Sequence, residues 1–583
     1  MLDMSDQNTL EFSNLDFKVP STLRRANKDQ TPPEPIHILN NVSGSFKPRR
    51  LTCVMGPSGS GKTTLLNLIA GRQGVSSVPG SSLGGSISLS GIQVDPTKHR
   101  DKFAYVMAHD ALYATLSPRE TFRFALVLSG APDLTEKDIE EKVEYLINRL
   151  RLTSCADTMV GDLQIKGLSS GEKKRVSVGM ELIHDPNLLL LDECTSGLDS
   201  FSALLLVQLL KSLADSGRTI VTSIHQPSSE IFQSFDDVCF MSKGEVIYFG
   251  PVVEVPGYFA KLGHPCPADS NPSDHVMYLL QTLTNEELSI LAEKHRSESQ
   301  SSVVRQGDVT TKQRRHVGFW TQFKQLGIRE WRNFFRDTGS LVARINIAII
   351  LILIISFVFW FVGDNSTQDQ INISHIGAVT LLTVNAMFTN SQIMMLSFPS
   401  ERPVFLKEYA AGMYSIPAYF LSKSVVEFPV LFAQVCLSTV IAYFLMALGG
   451  SYIGLVYALF LVSIASASIA LVIASVAGDA RRAMELTPII FVPQIFFSGF
   501  FVPMSSVPAV LRWGQYLCSL KYAINIAFIN VFSHYDCAQT QIFGPNDIKT
   551  SQEWLYALIL VIITIFFRII AMLALKSKAK QMY

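Results

Sequence analysis

The sequence lacks the cysteine patterns of a zinc site or a dithiol redox centre. Its eight cysteines are scattered through 583 residues, with no Cys-x-x-Cys pair and no Cys/His spacing of the metal-binding kind. Among those in the first part of the chain, four are expected as buried, reduced thiols: Cys53, Cys155, Cys194 and Cys239. The cysteines therefore give no indication of a zinc or dithiol protein.

A charge excess of either sign is also lacking. Lys and Arg together number 49, as do Asp and Glu, so the formal net charge is zero. A broadly basic surface of the kind that binds nucleic acid is therefore not predicted. Residues Met1–Asp6 are polar and acidic and show no apolar signal-peptide core, so we expect the first half of the chain in the cytosol.

Apolar residues are plentiful but unevenly spread. They make up 48% of the chain and are concentrated after about Leu341. A chain of 583 residues is expected to form two or more domains. The distribution predicts a polar first part followed by a membrane part.

One stretch of the first part matches the phosphate-binding pattern GxxxxGK[ST]. It follows a predicted strand, Leu51–Met55, and precedes a predicted helix, Thr64–Ala70, which is the context that the motif requires. The glycines let backbone N–H groups turn towards phosphates, and the helix N-terminus adds positive potential. Lys62 is expected to reach the β- and γ-phosphates, and the Thr63 hydroxyl to hold Mg²⁺. The predicted ATP contacts are Gly56, Pro57, Ser58, Gly59, Ser60, Gly61, Lys62, Thr63 and Thr64.

Two later strands end in residues suited to ATP hydrolysis. The apolar run from Asn187 ends at Asp192 and Glu193, which are predicted to hold Mg²⁺ and to act as general base on the attacking water. The strand Thr219–Ile224 delivers His225 at its carboxyl end, where α/β sheets place their chemistry. A lone histidine is usually structural, but here we favour a γ-phosphate sensor.

Weaker ATP-site candidates lie elsewhere in the first part. Ser169, Ser170 and Gly171 form a turn that opens a helix and can present N–H groups and a hydroxyl to an anion. Asp199 follows shortly after the catalytic carboxylates, and Phe17 could stack on adenine or be ordinary strand core. Residues 118–152 read as a separate helical lobe.

These motifs, in this order, resemble the nucleotide-binding domain of ABC transporters over about Leu10 to Leu280. Three segments resemble the G subfamily in sequence: Gly171–Ile183, Ser223–Pro227 and Asn271–Asp274. The domain order, with the ATPase before the membrane domain, resembles that subfamily as well. The resemblance implies an α/β P-loop ATPase domain, with a RecA-like core and a helical subdomain, followed by an all-α membrane domain of six transmembrane helices. It also implies ATP and Mg²⁺ as cofactors.

The resemblance implies a dimer as well. In the family each ATP lies between the phosphate loop of one ATPase domain and the Ser-Gly turn of another, here Ser169–Gly171. One chain carries a single set of these motifs, so a homodimer or a heterodimer with another half-transporter is expected.

Two positions depart from the family pattern. Ala108 stands where the family has a Gln that contacts Mg²⁺, and Ser170 replaces the first glycine of the turn. Either change could slow hydrolysis, and together they raise the possibility of one weakened site in a heterodimer. Lys62, Asp192 and Glu193 are intact, so hydrolysis is still expected.

The predicted domain boundaries follow the composition. They are a nucleotide-binding domain at 1–284, a linker at 285–316, an amphipathic connecting helix at 317–338 and a membrane domain at 339–583. The connecting helix is aromatic and basic, which suits the inner membrane interface, although packing on the ATPase is an alternative. The predicted spans are about 341–362, 374–395, 421–447, 453–477, 485–505 and 554–576.

Charge placement predicts the orientation. With six spans the Lys/Arg clusters fall on one side, which places both termini in the cytosol, and a plasma-membrane location is expected. The sequon at Asn365 falls outside and could be glycosylated. Arg568 in the last span is expected to snorkel to the inner face, and the amides of the second span to face a helix interface or a pathway. Cys537 lies outside, and Cys518 could reach it.

Coupling and cargo residues come from the resemblance alone. Glu401, Arg402 and Glu408 match the family's coupling segment, with a solvated charged loop as the alternative. Phe388, Phe500 and Phe501 match cargo-contacting aromatics, with plain packing as the alternative. The expected function is ATP-driven export of an amphipathic or apolar small molecule. The rival is a weakly hydrolysing regulatory or structural subunit of a heterodimer.

Overall fold

The computed structural model describes residues 9–20, 35–72, 80–99, 102–129, 135–162, 164–267, 269–298, 317–367, 370–500, 507–508 and 510–582. The chain divides into two units at Val317 and Gly318. Residues 299–316 of the predicted linker and the predicted cargo residue Phe501 lie outside the described residues.

The first unit is built on two sheets. Its described strands are β1 (Leu10–Val19), β2 (Ile36–Phe46), β3 (Leu51–Met55), β4 (Ser82–Leu89), β5 (Ile92–Val94), β6 (Phe103–Val106), β7 (Leu188–Leu191), β8 (Thr219–Ser223), β9 (Asp237–Ser242) and β10 (Glu245–Pro251). Strands β9, β3, β8, β7 and β6 pair in parallel, and β10 joins β9 antiparallel at the edge. The second sheet is antiparallel in the order β2-β1-β4-β5.

The apolar strands of the parallel sheet explain why this sheet lies in the core of the first unit. Strands β3 and β7 are buried at every residue, as expected of parallel strands covered on both faces. The core also takes Phe12 and Phe46 from the antiparallel sheet, whose ring centroids lie 5.2 Å apart. The predicted strand–loop–helix order around the phosphate loop is confirmed, with the helix beginning two residues earlier than expected.

The helices of the first unit are α1 (Lys62–Ile69), α2 (Pro118–Leu128), α3 (Glu136–Arg149), α4 (Ser170–Leu182), α5 (Ser200–Asp215), α6 (Ser229–Gln233), α7 (Val255–Lys261), α8 (Pro272–Thr282) and α9 (Asn285–Glu298). Helices α2 and α3 form the predicted helical lobe, each begun by a capping box. Helix α9 corrects the predicted boundary: 285–298 is helical and packs on β10, with His295 beside Tyr248. The sequence predicted the start of the linker there.

The second unit is helical. Its described helices are α10 (Phe319–Arg336), α11 (Thr338–Val358), α12 (Ile373–Ala410), α13 (Ile416–Leu445), α14 (Tyr452–Val476), α15 (Ala480–Phe497), α16 (Ser519–Phe532) and α17 (Glu553–Met582). Among the described residues, four segments are long and apolar enough to cross a membrane: Thr338–Asn365, Ile416–Leu445, Tyr452–Val476 and Thr550–Ala579.

Two predicted spans do not meet that measure. Helix α12 carries amides at the second predicted span, and α15 begins with Arg481, Arg482 and Glu485 at the fifth. The number of six spans therefore remains a prediction. Helix α16 is apolar and buried but only 14 residues long, which is too short to span.

Two polar side chains of the apolar helices, Asn390 and Arg568, have partners inside the unit. Asn390 of α12 donates to the Ser463 hydroxyl of α14 at 2.8 Å, so this amide faces a helix interface as predicted. Arg568 does not snorkel, and that prediction is wrong. Its guanidinium pairs with Glu427 at 3.0 Å and donates to the hydroxyls of Ser468, at 3.1 Å, and Ser424. Three acceptors on two neighbouring helices therefore satisfy the charge internally.

All eight cysteines are free in the structure. Cys518 is buried, and its thiol donates to the Gln494 carbonyl at 3.2 Å rather than pairing with Cys537. The thiols predicted to be buried in the first unit are buried, and burial raises the pKa of Cys239 to about 12. Cys239 therefore stays a neutral thiol at physiological pH.

Candidate active site

The phosphate loop joins β3 to α1 and is shaped by its glycines. Gly61 caps α1 with a φ of 98°, and a Cβ there would lie 2.8 Å from Leu39 Cδ2. A Cβ at Gly56 would clash with the carbonyl oxygen of Met241. Only glycine fits at these two positions, which leaves the backbone of the loop free to approach a ligand.

Two side chains of the loop fit a polyphosphate. The Lys62 ammonium is buried and donates to the carbonyls of Gly56 at 2.7 Å and Pro57 at 3.0 Å. Burial lowers the pKa of Lys62, while Glu193 and Asp192 act in the opposite direction. The Ser60 hydroxyl is also buried and has no hydrogen-bond partner among the described residues. An unpaired buried hydroxyl beside a buried cation at a helix N-terminus suits phosphate oxygens.

A carboxylate reaches the loop from the neighbouring part of the sheet. Asp192 follows β7, and its Oδ1 accepts a hydrogen bond from the Thr63 hydroxyl at 3.2 Å. The two predicted Mg²⁺ ligands are thus adjacent. Within the described residues no group of three or more His, Cys, Asp or Glu side chains could hold a metal. Two oxygen ligands suit Mg²⁺, which usually completes its shell with water and substrate phosphates.

Ser223, at the end of β8, is a residue that the sequence reasoning missed. Its hydroxyl donates to Asp192 Oδ1 at 2.7 Å and accepts from the Glu193 N–H at 2.8 Å. It therefore holds the Asp192 carboxylate and the backbone of Glu193. Its role depends on the pairing of β8 with β7, which the local sequence does not specify.

The proposed base and the proposed sensor meet at the end of these two strands. His225 Nε2 lies 3.1 Å from Glu193 Oε1. The Glu193 side chain is 32% exposed and that of His225 42% exposed, so both are reachable by water. Glu193 has a φ of 45°, a left-handed conformation that costs energy in a non-glycine residue and is common at functional sites. The pair can accept a proton and orient a water molecule.

The Ser-Ser-Gly turn opens α4 as predicted. Ser169 caps the helix, exchanging hydrogen bonds with Glu172 in a capping box. Ser170 is exposed at the first helical position, so its Cβ meets no clash in this chain. Gly171 packs on α5, where a Cβ would lie 2.9 Å from Ser202 Cβ. No hydrogen bond between described residues joins this turn to the phosphate loop.

The two remaining nucleotide candidates have structural roles in this chain. Asp199 caps α5 by accepting from the Ser202 N–H at 2.9 Å, and hydrogen bonding to Ser202 lowers the pKa of Asp199. Phe17 is 0% exposed and lies in the hydrophobic core. The adenine-stacking hypothesis for Phe17 is therefore corrected in favour of strand core, because no face of its ring is accessible.

The predicted coupling residues lie in the last turns of α12, and they are not a solvated loop. Glu408 is buried and pairs with Arg329 of α10 at 2.8 Å. Arg402 donates to the carbonyls of Ala477 and Gly478 at the end of α14. Glu401 pairs with Lys423 of α13. These side chains connect helices of the second unit, because each of them bonds to a group on or next to another helix.

The two predicted cargo aromatics that the structure describes, Phe388 and Phe500, are half-buried. The Phe388 ring lies 5.9 Å from that of Phe491 on α15. Phe500 lies near Gly377, where a Cβ would be 3.8 Å from its Cζ. These contacts agree with either helix packing or a cargo surface.

The site and the fold together define a class. A phosphate loop, an adjacent carboxylate and a Glu–His pair at the ends of parallel strands form the ATPase unit of an ABC transporter, followed in the same chain by a unit of apolar helices. Family models agree. The model described as ABC transporter matches 39–196, and two described as ABC-2 type transporter match 225–296 and 321–532.

Relatives narrow the class. The ABC transporter ATP-binding protein/permease wht-1 of Caenorhabditis elegans is 32% identical, with 85% of this chain and 77% of that one covered. ABC transporter G family member 7 of Arabidopsis thaliana is 31% identical, over 88% of this chain and 73% of the relative. The broad substrate specificity ATP-binding cassette transporter ABCG2 of Sus scrofa is 29% identical, over 85% of this chain and 80% of the relative. The chain belongs to the G subfamily of ABC transporters, and its first unit is homologous to their ATP-hydrolysing domains.

Proposed function

We propose that this protein works as a dimeric half-transporter that exports an amphipathic or apolar small molecule, such as a lipid, a sterol or a xenobiotic, at the expense of ATP. The observation that carries the proposal is the 3.1 Å contact between Glu193 and His225, beside the contact between Thr63 and Asp192. These residues place a base, a sensor and two oxygen ligands around one phosphate loop.

Each residue of the site has a proposed role. Lys62 binds the β- and γ-phosphates, and Thr63 and Asp192 hold Mg²⁺, which would neutralise phosphate charge when bound. Glu193 accepts a proton from the attacking water, and His225 orients that carboxylate. Ser223 holds the Asp192 carboxylate and the backbone of Glu193 in place.

A dimer is proposed because the site is incomplete in one chain. Ser169 and Ser170 are exposed at the N-terminus of α4, and Asp199 is exposed at the N-terminus of α5. Helix N-termini bind anions, and an exposed one can face a nucleotide held by a second chain. We propose either a homodimer or a heterodimer with another half-transporter.

The nature of the cargo is inferred from what the membrane helices offer. One internal ion pair joins Arg568 to Glu427, and the Asn390 amide is bonded to Ser463. Half-buried aromatics such as Phe388 and Phe500, with Phe501 by resemblance, then supply the proposed cargo contacts. One relative is named for broad substrate specificity, which agrees with a site that does not depend on a single charged contact.

The proposed location is the plasma membrane, with both termini in the cytosol. Helix α10 buries Leu326 and Arg329 and exposes Trp320, Trp331 and Phe335. An exposed aromatic face with basic residues suits the membrane interface.

Transport can be measured in inside-out vesicles that contain the protein. ATP should drive uptake of fluorescent amphipathic probes by the wild type and not by Glu193→Gln. Equal uptake by both, over a panel that spans lipids, sterols and xenobiotics, would rule the export proposal out.

The rival proposal is a weakly hydrolysing subunit, and Ala108 favours it because alanine offers no metal ligand. Ala108→Gln restores an amide at that position. If the departure slows turnover, this variant should hydrolyse ATP several-fold faster than the wild type at saturating Mg²⁺. An unchanged rate would remove the main support for the rival.

A further inference from the structure

A buried lysine holds the loop that carries Ala108. Lys174 lies in α4 and is 2% exposed. Its ammonium donates to the carbonyl of Ala108 at 2.8 Å and to that of Met107 at 3.3 Å, and it pairs with the Asp110 carboxylate at 2.9 Å. The buried ammonium thus has two carbonyl acceptors and one carboxylate partner, all within the loop.

The loop on one side of Lys174 belongs to the ATP site of its own chain. It follows β6, which pairs in parallel with β7. The Asp192 N–H donates to the Val106 carbonyl at 2.9 Å, one residue before the loop. A shift of the loop would therefore displace Asp192, whose carboxylate is proposed to hold Mg²⁺.

The helix on the other side of Lys174 belongs to the turn proposed to complete a second site. Helix α4 begins at Ser170 with Ser169 as its cap, and Lys174 lies just over one turn further on. Because a short helix moves as a rigid body, the position of Lys174 and that of the turn are linked.

We infer that Lys174 is a positioning residue for ATP hydrolysis, which ties the Ala108 loop to the Ser169–Gly171 turn through the backbone carbonyls of that loop and the Asp110 carboxylate. The link does not depend on the side chain at position 108, so it operates despite the loss of the family's glutamine. Lys174 does not belong to the phosphate loop and is not expected to affect ATP affinity. The inference rests on the proposed ATP-driven function.

The consequence is a specific kinetic signature. Lys174→Met keeps the length of the side chain but removes all three polar contacts. We expect its kcat for ATP hydrolysis in nanodiscs to fall about 10-fold, in the range of mutations that disturb coupling, with KM for ATP changed less than about 2-fold. Lys174→Arg can reach the same carbonyls and should recover most of the rate.

The matched control is Lys173→Met. It removes the same charge at the adjacent residue, whose side chain is half-buried. Its kcat should stay within about 2-fold of the wild type, as for a surface substitution. Equal kcat values for Lys174→Met and Lys173→Met would overturn the inference. So would a loss in Lys174→Met that appears in KM alone.

A second variant decides the matter if Lys174→Met does not fold. Asp110→Asn keeps both carbonyl contacts but removes the ion pair, and it should lower kcat at unchanged KM. An unchanged kcat would overturn the inference. The wild type and Glu193→Gln are run in the same assay: equal rates for these two contradict the proposed function, whereas unequal rates with an unaffected Lys174→Met contradict only the role of Lys174.

Discussion

His225 Nε2 lies 3.1 Å from Glu193 Oε1, although 32 positions separate the two residues in the chain. The contact exists because β7 and β8 are parallel neighbours whose carboxyl ends meet at one edge of the sheet. Glu193 turns out of its strand through a left-handed backbone conformation, which brings its carboxylate to the imidazole. We propose that Glu193 and His225 together form the hydrolytic centre.

Replacing His225 should slow hydrolysis without preventing nucleotide binding. We expect His225→Ala to lower kcat about 100-fold, the scale of a lost acid–base or orienting group, because Glu193 loses its partner. His225→Gln should retain more activity, since an amide can still donate to the carboxylate. The measurement is the ATPase rate at saturating ATP, with exposed His37 replaced by Ala as the control. A rate in His225→Ala equal to that of the control would contradict the role of His225.

Ser223 should affect the Mg²⁺ requirement of the ATPase rather than its affinity for ATP. Its hydroxyl holds the Asp192 carboxylate, so Ser223→Ala should raise the Mg²⁺ concentration for half-maximal activity about 10-fold, as is usual for groups that orient a metal ligand. The check is a Mg²⁺ titration of the ATPase rate at fixed ATP. Ser234→Ala, which removes a hydroxyl bonded to the Glu230 carbonyl, is the control. Identical Mg²⁺ curves for the two variants would show that Ser223 has no such role.

The ion pair between Arg329 and Glu408 should be critical for the second unit. Both groups are buried, so Arg329→Met leaves a buried carboxylate unpaired and should cost about 3–5 kcal/mol of unfolding free energy. The double variant Arg329→Met/Glu408→Gln should lose less than Arg329→Met alone. Both are measured by thermal unfolding in detergent.

An exposed pair serves as the comparison. Arg481 and Glu485 lie 3.2 Å apart with side chains 88% and 63% exposed, so Arg481→Met should cost less than about 1 kcal/mol. Equal losses for the buried and the exposed pair would contradict the structural role given to Arg329.

Local patterns in the sequence were sufficient for the phosphate loop and its surroundings. A strand, a glycine-rich loop and a helix are contiguous, so their identity depends on short-range chemistry, and the structure confirms them. The capping box that begins α3 is local in the same sense, because its partners Thr135 and Asp138 are three residues apart.

Partners of buried charges could not be predicted in this way. Glu408 meets Arg329 across 79 positions and Arg568 meets Glu427 across 141, and nothing in either local sequence specifies the other. Arg568 in the last predicted span therefore suggested snorkelling, and a solvated loop stood as the alternative for Glu408. Ser223 was missed for a related reason, because its role depends on the pairing of β7 with β8.

The most direct test of the account compares ATP hydrolysis by the purified wild type and by Glu193→Gln in lipid nanodiscs. Glutamine keeps the shape of the side chain and its proximity to His225 but cannot accept a proton. The account predicts clear wild-type activity and a loss of about 100-fold or more in the variant, with ATP binding retained. A wild-type rate no higher than that of the variant would contradict an autonomous ATP-driven exporter.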